Sequence, residues 1–328
     1  MNGHEGAASL QREPRAACGV RKMHSAMPSL QEEVVTKFSV LIPAYLRPDD
    51  LRKTLQRTLR QTCHDIEIVV IDDSTPNSSI EDAVREFETV RYFRTPENLG
   101  LIGARNFGAK RCEGELILNL DDDSWLVDDD GLMQIATYMD ERPDVGVAAL
   151  NIGLVDQGYF WPEDSPSLPV RYYTGCGNVY RKTVVDMVGD YVEEFYRQGE
   201  ELDRTLRVMD LGYRVMSLPS VRVFHSQSPI NRNPGKHLAF EAANYLRREL
   251  IRAPLPLLAL GVARALRFTM RHRREMDFRL FQEEIFGNRV PLLNFIRRKR
   301  RSVRVATYLR WMMLRKNSAR KIASPSAA

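Results

Sequence analysis

A short apolar run that ends in three consecutive aspartates constrains this chain more than any other segment. The run extends from Leu116 to Leu120, and the aspartates are Asp121, Asp122 and Asp123. An uninterrupted apolar run of this length is typical of a strand buried in a parallel sheet. Three adjacent carboxylates repel one another, and the end of a buried strand is a costly place for them. Mg²⁺ or Mn²⁺ held by Asp121 and Asp123 would relieve this repulsion.

Apolar strands and helix-type repeats alternate before the aspartates. Strands are predicted at Phe38–Pro43, Ile66–Ile71, Val90–Phe93 and Leu116–Leu120, with helices between them. This β-α-β-α-β-α-β order predicts a parallel sheet with right-handed crossovers. Because the second strand also ends in acids, Asp72 and Asp73, two carboxylate clusters share the sheet edge where a nucleotide could lie. In the absence of a ligand, the aspartate triplet would be a polar loop that caps the next helix.

The composition is that of a soluble globular protein. Of 328 residues, 43% are hydrophobic and 28% are charged, which argues against a disordered chain. The four cysteines are widely spaced and give no zinc or disulfide pattern, so a reducing cytosol fits best. We expect no signal peptide. The longest charge-free apolar stretch of the C-terminal region, residues 253–263, is also too short to span a membrane, which takes about 20 residues.

Charge is distributed unevenly along the chain. The net charge is +5, yet the segment from Arg297 to Lys321 alone contains eleven basic residues and no acidic one. A mildly acidic body therefore carries a strongly basic tail. We predict three parts: a disordered segment at residues 1–36, a catalytic domain at residues 37–235, and a helical, basic C-terminal extension at residues 236–328.

Five short motifs, in this order, resemble those of family 2 glycosyltransferases with the A-type fold. They are Val40–Tyr45, Val70–Ser74, Glu97–Gly100 with Ala104–Gly108, Leu120–Asp123 and Gly199–Asp203. The resemblance covers roughly residues 37–230. It implies a Rossmann-like α/β fold with a mixed, mainly parallel sheet flanked by helices, followed here by the helical extension.

The resemblance also implies a reaction and a set of binding residues. A sugar would pass from a nucleoside diphosphate sugar donor to a hydroxyl acceptor, with inversion at the anomeric carbon. The nucleotide-binding positions would be Pro43, Ala44, Tyr45, Asp72, Asp73, Arg105 and Asp122. Among them, Asp73 would hydrogen-bond the base, and the forked donors of Arg105 would suit the nucleotide or its diphosphate. The metal ligands would be Asp121 and Asp123, joined by His225.

The fifth motif implies the catalytic base. Its second position is Glu201, which would accept the proton of the acceptor hydroxyl. Glu200 is the alternative base, and Asp203 is expected to cap the helix or hold Arg207 one turn later. Cys176 lies in a small-residue turn on the acceptor side, and we expect it to be a packed side chain because no histidine is close to it in sequence.

Two other functions fit parts of the pattern. Acids at strand ends also suit a metal-dependent phosphatase or nucleotidyltransferase. The basic tail could bind nucleic acid, but the body is acidic and has no recognised nucleic-acid motif, so we expect no such partner. The basic, aromatic stretch of residues 297–313 instead favours an anionic membrane surface. We therefore expect a cytoplasmic enzyme, peripheral to the inner face of the plasma membrane.

Overall fold

Strands and helices alternate along most of the chain. This computed structural model describes residues 37–74, 79–154, 158–159, 161–227, 233–287 and 291–314, so the predicted disordered segment, residues 1–36, lies outside it. The strands are β1 (Phe38–Ala44), β2 (Ile66–Asp72), β3 (Val90–Arg94), β4 (Leu116–Asn119), β5 (Ser124–Leu126), β6 (Val145–Leu154), β7 (Gly158–Tyr159), β8 (Asn178–Arg181) and β9 (Arg214–His225). The helices are α1 (Pro48–Thr58), α2 (Ile80–Val84), α3 (Gly100–Ala109), α4 (Gly131–Asp140), α5 (Lys182–Val188), α6 (Glu200–Asp210), α7 (Pro234–Arg252), α8 (Leu258–His272), α9 (Phe278–Phe286), α10 (Leu292–Lys299) and α11 (Val305–Met313).

Within these ranges, nine strands form one mixed sheet. Their order is β3-β2-β1-β4-β8-β6-β9-β5, and β7 pairs with β6. The first four strands in this order are parallel, as the sequence predicts. β8 is antiparallel to both β4 and β6, so the purely parallel part of the sheet ends at β4. As a result, the carboxyl ends of β1, β2 and β4 meet at one edge of the sheet.

The helices cover the sheet through small and apolar side chains. Leu51 and Leu55 of α1 are fully buried in the core on one side of the sheet. On α3, a Cβ atom added to Gly108 would overlap Leu41 of β1 and lie 2.8 Å from Cγ1 of Ile71 in β2. Glycine at this position therefore lets α3 pack closely on the sheet.

The C-terminal helices share the core of the sheet. Ile251 of α7 and Phe295 of α10 are buried in the same hydrophobic cluster as Phe195. The Nε atom of Arg252 donates to Oδ1 of Asp203 at 2.6 Å, which connects α7 to α6. All described residues belong to one compact unit, Val35–Ala328. The division at residue 235 into a catalytic domain and an extension stays a prediction.

The end of the described chain packs against α6. Tyr308 and Trp311 of α11 are fully buried and contact a cluster that contains Leu206. These two aromatic side chains are therefore not free to enter a membrane, whereas Leu309 and Met313 are exposed. Among the helices of the described residues, none combines the length and the apolar character needed to cross a bilayer.

Candidate active site

The aspartate triplet and His225 come together at the carboxyl edge of the sheet. The triplet lies between β4 and β5, and β9 pairs with β5 so that His225 is opposite Ser124. The Nε2 atom of His225 lies 3.0 Å from Oδ1 of Asp123 and 3.9 Å from Oδ2 of Asp121. The structure thus brings together the three side chains that were predicted as metal ligands.

Cys176 adds a thiol to this group. Its Sγ atom lies 3.4 Å from Nδ1 of His225, although the two residues are 49 apart in the sequence. One donor atom each from Asp121, Cys176 and His225 lie within 4.8 Å of one another. Burial alone would lower the pKa of His225, but hydrogen bonds with Asp123 and Cys176 and the charge of Asp121 raise it to about 11. A carboxylate, an imidazole and a thiol at this spacing fit a divalent cation.

Arg47 neutralises part of the aspartate triplet. Its Nη1 atom donates to Oδ2 of Asp123 at 2.7 Å, and its Nη2 and Nε atoms donate to the carboxylate of Asp122. Asp122 also accepts a bond of 3.2 Å from the backbone N–H of Tyr45. Burial raises the pKa of Asp122 to about 7, although Arg47 favours its ionised form. Asp122 therefore faces the loop after β1, away from the partners of His225.

Arg105 is buried and connects the aspartate triplet with α6. Its Nη2 atom donates to Oδ1 of Asp121 at 2.8 Å, and its Nη1 atom lies 3.6 Å from Oε1 of Glu200. Burial opposes its charge, but the neighbouring carboxylates outweigh burial and raise the pKa of Arg105. A Cβ atom added to Gly175 would lie 2.6 Å from Nη1 of Arg105 and 2.9 Å from Oε1 of Glu201. Glycine at position 175 therefore leaves room for both side chains.

Glu200 and Glu201 form a coupled carboxyl pair at the start of α6. Burial raises the pKa of both groups, and the charge of Glu200 raises that of Glu201 further. The two side chains are also hydrogen-bonded to each other, so the pair tends to keep one proton. A carboxyl group with a raised pKa is a stronger base once it is ionised, which suits the acceptance of a proton from a hydroxyl group.

A turn with unusual backbone angles presents this pair. Tyr196 and Gln198 have positive φ values of 57° and 69°, a region that is costly for residues other than glycine. The side chain of Asn244, on α7, stabilises the turn. Its Nδ2 atom lies 2.8 Å from each of three carbonyl oxygens, those of Phe195, Arg197 and Gln198.

Arg247 in turn holds Asn244. Its Nη1 atom donates to Oδ1 of Asn244 at 3.1 Å and to Oε2 of Glu284 at 3.0 Å, and all three side chains are buried. These contacts run from α9 through α7 to the turn before α6. This role was not predicted from the sequence, although polar residues on the buried face of α7 are a signal that could have revealed it.

Asp72 and Asp73 occupy the neighbouring strand end. Asp72 is fully buried, and its Oδ2 atom accepts a bond of 2.6 Å from the hydroxyl group of Tyr92. The Oδ1 atom of Asp73 accepts a bond of 2.8 Å from the backbone N–H of Leu99, at the start of α3. Burial raises the pKa of Asp73. Both predicted nucleotide-binding acids therefore also stabilise the turns that follow β2 and β3.

The end of β1 carries the remaining predicted nucleotide-binding residues. Pro43 and Ala44 are buried within the strand, and the carbonyl oxygen of Ala44 accepts a bond of 3.0 Å from the backbone N–H of Asp73. The side chain of Tyr45 is exposed. Of these three residues, Tyr45 is thus the one whose side chain a ligand could reach.

Comparison with known proteins points to one family. Residues 39–192 match the family model described as "Glycosyl transferase family 2". Over that segment, which is a little under half of the chain, the sequence resembles this family. An uncharacterized glycosyltransferase of Haemophilus influenzae is 32% identical over 94 residues, which are 28% of this chain and 38% of that relative. The chain thus spans well under two thirds of that curated relative.

Solved structures show the fold of this chain. S. aureus TarS 1–349 in complex with UDP-GlcNAc has a TM-score of 0.54 at 18% identity, over 72% of this chain and 73% of that one. GalNAc-T7 with UDP, GalNAc and Mn²⁺ has a TM-score of 0.55 at 16% identity, over 80% of this chain and 59% of that one. The predicted A-type glycosyltransferase fold is confirmed.

Proposed function

We propose that the chain is a metal-dependent, inverting glycosyltransferase. It would transfer a hexosyl or deoxyhexosyl group from a nucleoside diphosphate sugar to a hydroxyl acceptor. The observation that carries this proposal is the convergence of metal donors, Arg105 and a carboxyl pair at one sheet edge. The proposal is further supported by the TarS structure in complex with UDP-GlcNAc and by the GalNAc-T7 structure with UDP, GalNAc and Mn²⁺.

The proposed metal site is formed by Asp121, Cys176 and His225, with Asp123 beside the histidine. These residues would hold Mg²⁺ or Mn²⁺. The cation, when bound, supplies positive charge for the diphosphate leaving group. Oδ1 of Asp123 lies 3.0 Å from Nε2 of His225, where its negative charge would help to orient the ring.

The proposed donor site combines the ends of β1 and β2 with α3. The base would lie against Tyr45, within reach of Asp73. Arg105 is buried and already paired with Asp121, so its guanidinium is held in place before the diphosphate arrives. A prepositioned guanidinium can stabilise negative charge without reorganising during the reaction.

Glu201 is the proposed base. Its carboxylate would accept the proton of the acceptor hydroxyl as that oxygen attacks the anomeric carbon from the side opposite the leaving diphosphate. The charge of Glu200 raises the pKa of Glu201, whereas the charge of Arg105 lowers it and so favours the ionised base. The acceptor would be a hydroxyl group of a cell-surface polysaccharide, a glycolipid or a metabolite, reached at the cytoplasmic face of the membrane.

A donor screen tests this function. The full chain is incubated with UDP-, dTDP- or GDP-sugars and Mn²⁺, and thermal stability and release of the nucleoside diphosphate are measured. A cognate donor should raise the melting temperature, because a ligand that binds the folded state stabilises it. Hydrolysis of simple phosphate esters without any response to sugar nucleotides would contradict the proposal and favour a phosphatase.

A further inference from the structure

Three arginines surround the buried ring of Trp311, on the α11 side of the molecule. The guanidinium carbon of Arg171 lies 3.8 Å from the ring centroid, and those of Arg248 and Arg264 lie 5.2 Å and 6.0 Å from it. Arg171 and Arg248 are 7% and 3% exposed, and Arg264 is partly exposed. Three cations thus share one largely buried space, which opens to solvent at Arg264.

Glu249 supplies the carboxylate in contact with these arginines, and its negative charge balances one of their three positive charges. Oε1 of Glu249 accepts a bond of 2.9 Å from Nη2 of Arg248, and Oε2 accepts from the hydroxyl group of Tyr308. Within the part of the chain that the structure describes, the guanidinium groups of Arg171 and Arg264 have no hydrogen bond or ion pair; their contact is with the indole ring.

Several buried donors of this cluster consequently lack an acceptor. They are Nε of Arg171, Nε of Arg248 and Nη1 of Arg264. Burial, together with the charges of Arg248 and Arg264, lowers the pKa of Arg171 to about 10. A buried charge is normally paired, and stacking on an aromatic ring supplies attraction but no negative charge.

We propose that Arg171, Arg248 and Arg264 form a binding site for a phosphate group. A phosphate carries up to two negative charges, which match the two unbalanced guanidinium groups, and its oxygens suit the forked donors of arginine. The side chain of Trp311 forms one wall of the site and fixes the arginines by stacking.

The site adjoins the proposed acceptor side. The segment that carries Arg171 leads to the proposed base, because a Cβ atom added to Gly175, four residues later, would lie 2.9 Å from Oε1 of Glu201. A phosphate held by the arginines would therefore belong to an acceptor that carries its reacting hydroxyl toward Glu201. This last step rests on the proposed glycosyl transfer, whereas phosphate binding itself does not.

Fluorescence of Trp311 reports on the site without any need for turnover. The chain contains three tryptophans, so replacing Trp125 and Trp161 by phenylalanine leaves Trp311 as the single emitter. In this background, inorganic phosphate is titrated at constant ionic strength without donor or metal. We expect a saturable change in emission and a rise in melting temperature of about 2 °C or more near saturation.

Arginine variants test whether the phosphate response comes from the three arginines around Trp311. Arg171→Met and Arg264→Met should each weaken phosphate binding at least about tenfold. Arg171→Lys keeps the charge but loses the fork, so it should bind with intermediate affinity and serves if the methionine variant fails to fold. Arg222→Met is the matched control, because Arg222 is already paired with Asp128 and Glu163, and it should keep the wild-type response.

Two further probes separate the sources of the phosphate. Glycerol 1-phosphate is titrated in the same way, and vesicles with phosphatidic acid are compared with vesicles of phosphatidylcholine alone. Tighter binding of the ester or of the acidic vesicles assigns the site to an esterified acceptor, and binding of inorganic phosphate alone assigns it to the free ion. No response to any probe, or a wild-type response in both Arg171→Met and Arg264→Met, would overturn the proposal, whether or not sugar transfer is observed.

Discussion

The Nδ2 atom of Asn244 lies 2.8 Å from the carbonyl oxygen of Gln198, two residues before Glu200. This contact joins α7, which lies beyond the segment that the family model matches, to the turn that presents the proposed catalytic pair. Because Gln198 has a positive φ value, the turn needs stabilisation from outside itself. The active-site geometry therefore depends on the C-terminal helices.

We predict that Asn244→Ala impairs catalysis as well as stability. Three carbonyl oxygens would lose their shared donor, which should lower the free energy of unfolding by about 1–3 kcal/mol. The turn would relax and displace Glu201, so kcat should fall by more than donor affinity does. Urea unfolding, kcat and the donor dissociation constant measure the three effects.

Asn151→Ala is the matched control for this prediction. Asn151 is also buried, and its Nδ2 atom donates to the carbonyl oxygens of Trp161 at 2.8 Å and Pro219 at 3.1 Å. The control should lose a similar amount of stability with kcat per folded molecule unchanged. If both variants have the same kcat, Asn244 stabilises the fold without positioning the base.

The parallel strands and their acidic edge could be predicted because both are local features. Each of these strands is rich in apolar residues, and carboxylates follow the apolar residues of β2 and β4 closely. The full length of β9, from Arg214 to His225, is harder to predict. Its polar residues and Pro219 interrupt the apolar pattern, and pairing with both β6 and β5 compensates for this.

Long-range partners of the site could not be read from the sequence in the same way. Cys176 and His225 are 49 residues apart, and Arg47 and Asp122 are 75 apart. Each pair meets because two strand ends reach the same edge, which depends on the strand order of the whole sheet. A buried acidic triplet does predict a counter-charge, but it does not say which arginine supplies it.

We predict that Glu201→Gln abolishes transfer while donor binding is kept. The amide preserves the shape of the side chain and can still donate to Glu200, but it cannot accept a proton. Turnover should fall at least about 100-fold. Calorimetric donor titration should give the wild-type affinity. Glu200→Gln, which is expected to keep most of the activity, is the comparison; a larger loss in Glu200→Gln would assign the base to Glu200.

The raised pKa of Glu201 also predicts a change of stability with pH. The folded protein holds this proton more tightly than the unfolded chain does, so the group stabilises the fold below its ordinary pKa near 4.5. This contribution is lost as the pH rises through the folded-state pKa. Relative to wild type, Glu201→Gln should therefore gain stability above about pH 4.5, by less than about 1.4 kcal/mol per pH unit.

Unfolding in urea at a series of pH values between about 4.5 and 8, without metal or donor, measures this difference. Glu141→Gln, at an exposed glutamate on the end of α4, serves as the control and should follow the wild-type curve. Parallel pH profiles for wild type and Glu201→Gln would mean that the carboxyl pair ionises freely in the folded protein.

We predict that Asp121→Asn and Cys176→Ala each weaken Mn²⁺ binding at least about tenfold. Both changes remove a donor from the cluster around His225, and the binding can be measured by calorimetry without any donor sugar. Asp128→Asn is the control, because Asp128 is paired with Arg222 outside the cluster. Wild-type affinity in Asp121→Asn, or full transferase activity in excess EDTA, would contradict the metal site.

We predict that the basic C-terminal segment binds an anionic membrane surface. Truncating the chain before α11 would remove the buried side chains of Tyr308 and Trp311, so it would disturb the fold along with the charge. Replacing exposed basic residues by neutral ones removes the charge and leaves these buried side chains in place. Arg297, Arg301 and Arg310 are all exposed, and we choose the triple replacement by glutamine.

We expect wild type to sediment with anionic vesicles and the triple variant to do so much less. Each basic residue near an anionic bilayer contributes about 1 kcal/mol, so the loss of three should weaken binding roughly 100-fold. Binding should also fall with salt, because the attraction is screened beyond about 10 Å at 0.1 M. The control removes the same charge from α1 and the loop after it: Lys53, Arg57 and Arg60 are replaced by glutamine. Equal sedimentation of the two triple variants would show that general net charge, and not the C-terminal segment, attracts the protein to the vesicles.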